Sequence, residues 1–147
     1  MAQRVLLGIT GRYLAHLEDV LYPRGTSPHD YLAHYAREFS VVELSDSDLQ
    51  SLGPQEITRC VEVTPPAFRF SIRQHLELEH SWERTVVTMR DLIKPLVDAG
   101  KLGAVAAELP SWFQYSQSSR KQLAALCDCL RRSNIMASRR LLPTSRS

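Results

Sequence analysis

At 147 residues, the chain has the length of one domain of ordinary size. Its apolar share of 44% and charged share of 23% are typical of globular proteins and exclude disorder over most of the chain. The formal net charge of +2 is too small to indicate a polyanionic partner, so the composition argues against nucleic acid as a ligand of the whole domain.

The first strand is predicted at residues 4–9, a short apolar run that ends near Gly8. Ser27 followed by Pro28 predicts a helix start, with the serine as the N-cap and the proline in the first turn. The apolar residues that follow recur with the period of an amphipathic helix, at Leu32, Tyr35, Ala36 and Phe39. Residues 40–44 are the predicted second strand.

Pro54 opens a second helix, and the prolines at 65 and 66 end it because proline cannot continue a helix. Residues 68–72 alternate between apolar and polar and predict a third strand. Ser81 is expected to cap a long third helix that ends at Gly100. Residues 104–109 are the predicted fourth strand. The apolar face of a fourth helix is expected at Leu123, Leu126, Cys127 and Leu130.

This alternation of strands and helices predicts an α/β fold of four β-α units with parallel strands. Two architectures remain open at this point: a small open sheet, or half of a TIM-like (β/α)8 barrel. The predicted domain covers residues 1–133. Residues 134–147 have no apolar period and carry arginines but no acidic residue, so a basic, solvated tail is expected there.

Location and redox state can also be predicted. No apolar run approaches the roughly 18–20 residues of a membrane span, and the first residues lack the pattern of a signal peptide. The three cysteines, Cys60, Cys127 and Cys129, have no spacing of a disulfide framework or a zinc site. We therefore expect a cytoplasmic protein with buried, reduced thiols, no membrane partner, no cofactor and no bound metal.

Several short motifs, in order and spacing, resemble the YecE-like family (domain of unknown function number 72). They are Tyr22-Pro23, residues 32–36, Val42-Glu43-Leu44, residues 64–70, residues 102–105 and residues 108–113. Members of that family are similar in fold to TIM barrels and are near twice this length. The resemblance therefore implies that this chain corresponds to the N-terminal half of such a barrel.

Departures from the family pattern fall where the strands end. Where the family has Gly-Thr-Ser-Gly-Trp after the first strand, this chain keeps the glycines and one hydroxyl in Gly8-Ile9-Thr10-Gly11-Arg12. Arg73 replaces a lysine, His75 a proline and Glu108 a glutamine, whereas His80 matches the family histidine. Scaffold motifs thus match better than the positions at the mouth of the expected barrel, where barrel enzymes carry their chemistry.

The candidate catalytic residues are Glu43, His80 and Glu108, since carboxylates and a histidine at strand ends suit general acid–base catalysis. Thr10, Tyr22 and Arg73 are the candidate substrate- or anion-binding residues. The competing interpretation is structural, with Glu43 as a paired interior carboxylate and Glu108 as a solvated or paired one.

Two functions follow from these alternatives. The favoured hypothesis is a diverged, non-catalytic half-barrel that acts as an interaction or assembly unit. The alternative is a hydrolase- or isomerase-type enzyme completed by self-association or by a second half-barrel chain. In either case we expect a homo-oligomer or a complementary chain as partner, because half a barrel leaves edge strands and an apolar interior face exposed.

Overall fold

A computed structural model describes residues 5–11, 17–76, 82–114 and 116–132. Within these ranges, four strands alternate with five helices. In chain order the elements are β1 (Gly8–Thr10), α1 (Tyr31–Glu38), β2 (Val41–Ser45), α2 (Asp46–Ser51), α3 (Pro54–Glu62), β3 (Arg69–His75), α4 (Trp82–Asp98), β4 (Leu102–Glu108) and α5 (Gln117–Arg132). The predicted α/β class is confirmed.

The four strands form one parallel sheet in the order β1-β2-β3-β4. Each strand therefore pairs with its neighbour in sequence, as expected when helices connect parallel strands. The register shifts once, between Phe70 and Ser71 on β3, where Gly103 of β4 falls between two paired positions. The carboxyl ends of all four strands consequently lie at one edge of the sheet.

One face of the sheet carries the core. Side chains alternate along a strand, and the alternate positions Val42, Leu44, Phe70 and Ile72 are at most 1% exposed. They pack against apolar residues of α1, α3 and α4 such as Tyr35, Ile57 and Ile93. A second cluster of Leu76, Trp82, Val86 and Leu126 joins α4 to α5.

Two predictions about helices were wrong. The first helix begins at Tyr31 with Asp30 as N-cap, not after Ser27, because residues 27–30 form a separate turn closed by the Asp30 N–H on the Ser27 carbonyl. The structure also contains α2, which the alternation did not predict. It starts from a capping box in which Ser45 and Asp48 bond each other's backbone N–H groups.

The cysteine prediction was wrong in part. Cys60 is buried, but Cys127 is exposed and Cys129 is half-buried. Leu126 faces the core, and the next residue of a helix is turned about 100° away, so Cys127 points elsewhere. Among the helices of the described residues, none is long and apolar enough to cross a membrane. The predicted tail, residues 134–147, and Ser81 lie outside the described residues.

Candidate functional site

The face of the sheet opposite the core is open and carries both polar and apolar side chains. Its positions alternate with the buried ones and include Glu43, Arg69, Ser71 and Arg73, which are all partly exposed. On β4 the corresponding residues are small, as at Ala104 and Ala106, and are exposed. The expectation of an apolar face is met only in part, because charged, hydroxyl and small side chains share with Val41 the positions that face away from the helices.

Three charged residues meet on this face. The Arg73 guanidinium donates from Nε to Glu43 Oε1 at 3.2 Å and from Nη1 to Glu108 Oε2 at 3.1 Å. The Thr10 hydroxyl donates to the same Glu43 oxygen at 3.1 Å. We call Thr10, Glu43, Arg73 and Glu108 the charged cluster. Four of the six predicted site residues thus come together in the structure.

The register of the strands explains why the side chains of the charged cluster lie together. Thr10 is the β1 partner of Glu43, so their side chains are direct cross-strand neighbours. Arg73 lies two positions beyond the β3 partner of Glu43 and pairs with Ala106 of β4. Two positions farther along β4, Glu108 is on the same face. A long arginine side chain on the third strand can therefore reach carboxylates on both neighbouring strands.

The side chains of the charged cluster differ in their exposure to solvent. The side chain of Glu43 is 32% exposed, that of Arg73 41% and that of Glu108 51%. Glu43 is the most buried of the three. Pairs this exposed are screened by water, so each contributes only about 0–1 kcal/mol to stability. The cluster is consequently a polar surface feature more than a source of folding energy.

The two remaining predicted site residues are His80 and Tyr22. His80 lies outside the described residues. Tyr22 is in the core, 2% exposed, with its ring stacked on Tyr31 at a centroid distance of 4.4 Å. Burial raises the pKa of its phenol above the ordinary 10.0. Its hydroxyl has no hydrogen-bond partner among the described residues, and its ring belongs to the core cluster that packs on the other face of the sheet. The structure therefore does not bring Tyr22 to this site.

A cavity of about 400 Å³ adjoins the charged cluster toward the amino ends of the strands. Its lining combines small residues such as Gly8, Ser71 and Gly103 with the side chains of Glu43 and Arg69. The Arg69 guanidinium is already bonded to the carbonyls of Pro66 and Phe68. Sequence reasoning missed Ser71 and Gly103, although the alternation of β3 places Ser71 on the same face as Arg73.

The two carboxylates of the charged cluster, Glu43 and Glu108, share one cation, Arg73, and this limits the chemistry they can perform. General acid–base catalysis by two carboxyl groups requires that one be protonated and the other ionised, which different environments produce. Here both carboxylates accept hydrogen bonds from the same guanidinium. Within the described ranges, no three histidine, cysteine or carboxylate side chains are grouped so that they could hold a metal ion.

Comparisons with known proteins agree on one family. A family model described as "Protein of unknown function DUF72" matches residues 6–137. The fold is similar to a DUF72 family protein from Thermotoga maritima, with a TM-score of 0.72 and 21% identity over 86% of this chain and 52% of the other. A DUF72 family protein from Enterococcus faecalis gives a TM-score of 0.62 and 19% identity over 85% and 46%.

The chain therefore spans about half the length of the solved structures that it matches. At this level of identity the similarity establishes the fold alone. No curated protein matches the chain.

Proposed function

The chain belongs to the DUF72 family of proteins of unknown function, and we propose that it is a non-catalytic assembly unit. In this proposal the four β-α units are half of a TIM-like (β/α)8 barrel, and a second copy of the chain supplies the other half. The observation that carries the proposal is the pair of sheet edges, β1 and β4, which among the described strands each have a neighbour on one side only.

The geometry of the edges suits closure by two copies. In the sequential order β1-β2-β3-β4, a two-fold axis parallel to the strands places β4 of each copy beside β1 of the other. Both new pairs are parallel, like every pair within the sheet. Eight parallel strands are the number at which a TIM barrel closes and removes its edges.

The surface near β1 supports an interface there. Val5 and Leu7 are 85% and 70% exposed, and Leu6 and Ile9 are also exposed. Four aliphatic side chains within five residues are an unusual group to leave in water beside a strand that, among the described strands, has a neighbour on one side only. On β4, Ala104 and Ala106 are small, and the strand contains neither proline nor lysine, the residues that commonly block pairing at an edge.

The charged cluster supports the absence of catalysis. Glu43 and Glu108 engage the Nε and Nη1 atoms of its guanidinium, and their two negative charges offset its positive charge, which makes Arg73 a poor counterion for an anionic substrate. An arginine at this position also offers neither a base nor an amine nucleophile, since it does not lose its proton. The proposal includes a cytoplasmic location, which three cysteines without a disulfide among the described residues support.

Sedimentation equilibrium of the purified chain at micromolar concentration tests the proposal. The expected result is a dimer that melts cooperatively. Leu7→Asp should convert it to a monomer, because the charge would be buried at the new β4–β1 pair. Val20→Asp is the matched control, since Val20 is 82% exposed and lies in a turn outside every strand. A stable monomeric wild type, or a dimer indifferent to Leu7→Asp, would contradict the proposal.

A second candidate function is favoured by one observation, the convergence of Thr10, Glu43, Arg73 and Glu108 at the carboxyl edge of the sheet. Barrel enzymes carry their catalytic residues there, which suggests a hydrolase or isomerase. Chromogenic phosphate esters and glycosides would detect a hydrolase. Any turnover must disappear in Glu43→Gln and persist in Asp91→Asn, a control at an exposed surface carboxylate.

A further inference from the structure

A groove separate from the charged cluster lies between the β4–α5 connection and the start of α5. Its volume is about 340 Å³, within the range of about 300–1,000 Å³ usual for small-molecule sites. We call it the Trp112 groove; its lining includes Trp112, Phe113, Gln114, Ser116, Ser118 and Gln122. We propose that it binds a neutral, hydroxyl-rich ligand, a monosaccharide or short oligosaccharide, whose ring stacks on the Trp112 indole.

The backbone turn that carries the indole is held in place by the neighbouring residue, Phe113. The Phe113 N–H bonds the Pro110 carbonyl at 2.9 Å and closes a turn at the end of β4. The Phe113 ring packs against the cluster that contains Leu126 of α5. This anchors the turn, and Trp112 remains 54% exposed, whereas Trp82 is 7% exposed in the same cluster. An indole held open on an anchored turn is a stacking surface already in place before a ligand arrives.

The polar part of the groove is available for binding. The side chains of Gln114, Ser118 and Gln122 make no hydrogen bond to any other described residue. Ser116 and Ser119 bond each other, through the Ser116 N–H on Ser119 Oγ at 2.7 Å and the Ser119 N–H on Ser116 Oγ at 3.0 Å. They thereby cap α5, which fixes the wall of the groove, while the two amides and the Ser118 hydroxyl face no partner.

These side chains select the chemical class of the ligand. Amide and hydroxyl groups both donate and accept hydrogen bonds, as sugar hydroxyls do. The apolar C–H face of a pyranose ring matches the flat face of an indole, which buries a large apolar area with few rotatable bonds. The described lining contains no charged side chain, so the groove offers no counterion to a phosphate or a carboxylate.

The groove does not depend on assembly into a barrel. Its described lining comes from the β4–α5 connection and the start of α5 of a single chain, and none of the aliphatic residues beside β1 takes part. A monomeric chain would therefore still present it, and the two proposals fail or succeed separately.

Intrinsic fluorescence and saturation-transfer NMR of the full chain test the assignment. The probes are glucose, galactose, mannose, maltose, cellobiose and lactose, with adenosine as a neutral stacking ligand that lacks a pyranose ring. Binding should shift the emission of the exposed Trp112 to shorter wavelength. Trp112→Ala should weaken binding about tenfold or more, as is common for a central aromatic contact. Trp112→Phe should retain part of the affinity, and Gln122→Ala should lower it.

Val20→Ala is the control at another exposed apolar residue and should bind like the wild type. Because the indole is largely exposed, the melting temperature of Trp112→Ala should stay near the wild-type value, which separates lost binding from lost folding. The assignment is overturned if no saccharide binds the wild type, if Trp112→Ala binds equally well, or if adenosine binds and the saccharides do not.

Discussion

The hydroxyl of Tyr35 on α1 accepts a hydrogen bond from the Ile9 N–H of β1 at 2.7 Å. The same hydroxyl donates to the Val41 carbonyl of β2 at 2.8 Å. Farther along this pair of strands the Gly11 N–H bonds the Glu43 carbonyl directly at 2.9 Å. Two residues earlier, the Tyr35 hydroxyl bridges the Ile9 N–H and the Val41 carbonyl and so replaces a direct hydrogen bond between these two groups.

Tyr35→Phe should lower the free energy of unfolding by about 1–3 kcal/mol, because it leaves the Ile9 N–H and the Val41 carbonyl without this partner. Tyr31→Phe is the matched control. Tyr31 is also buried and stacked, but its hydroxyl makes no hydrogen bond to a described residue. Urea denaturation of both variants measures the difference. Equal losses would show that the bridge contributes nothing to stability.

Alkaline pH should destabilise the protein through the same side chain. Burial raises the pKa of Tyr35 above its ordinary 10.0, and the hydrogen bond from the Ile9 N–H only partly opposes this. A phenol with a higher pKa in the folded state holds its proton more tightly there. Its contribution is therefore complete below about pH 10 and is lost as the pH rises through the raised value.

The measurement is the urea midpoint between about pH 8 and pH 11 for the wild type and Tyr35→Phe. The variant should lose less stability over this interval. Burial and the nearby charge of Arg69 lower the pKa of Lys101, which has the opposite effect on stability as the pH rises. Both proteins contain Lys101, so comparing them cancels this effect. Identical pH profiles would contradict the role given to Tyr35.

Gly8→Ala should destabilise the β1–β2 pair. A Cβ at Gly8 would lie 1.9 Å from the Val41 carbonyl oxygen, far inside contact distance, so a strand must move. Overpacking of this kind costs about 1–3 kcal/mol. Gly53→Ala is the control, because nothing lies within 4 Å of its Cβ position and its φ of −76° suits any residue. Thermal unfolding of the two variants should separate them; equal melting temperatures would show that the strands adjust freely.

Lys101→Met should unfold more easily than the wild type by about 2–3 kcal/mol. The Lys101 ammonium is buried and donates to the carbonyls of Val61 and Thr64 and to the Thr64 hydroxyl, so it satisfies acceptors where α3 ends. Lys94→Met is the matched control, since Lys94 pairs with Asp98 on the exposed surface of α4. Guanidinium denaturation of both proteins measures the losses, and a larger loss in Lys94→Met would reverse the interpretation.

Local chemistry was sufficient to predict much of this protein. The two-residue period of strands predicted the third strand, and the turn and proline signals separated it from the helices. Because connections through helices make neighbouring strands parallel, Glu43 and Glu108 were expected at the same edge of the sheet before any distance was known. The motif resemblance identified the family, which the family model confirms.

Other features depended on contacts between residues far apart in the chain. Arg73 reaches Glu43 and Glu108, 30 and 35 positions away, only because the strand register aligns them. Tyr22 was placed near the site by its motif, yet it packs in the core because stacking on Tyr31 buries its ring. Sequence patterns determine which face of an element is apolar, whereas register and packing between elements decide which polar groups meet, since those depend on the whole set of contacts at once.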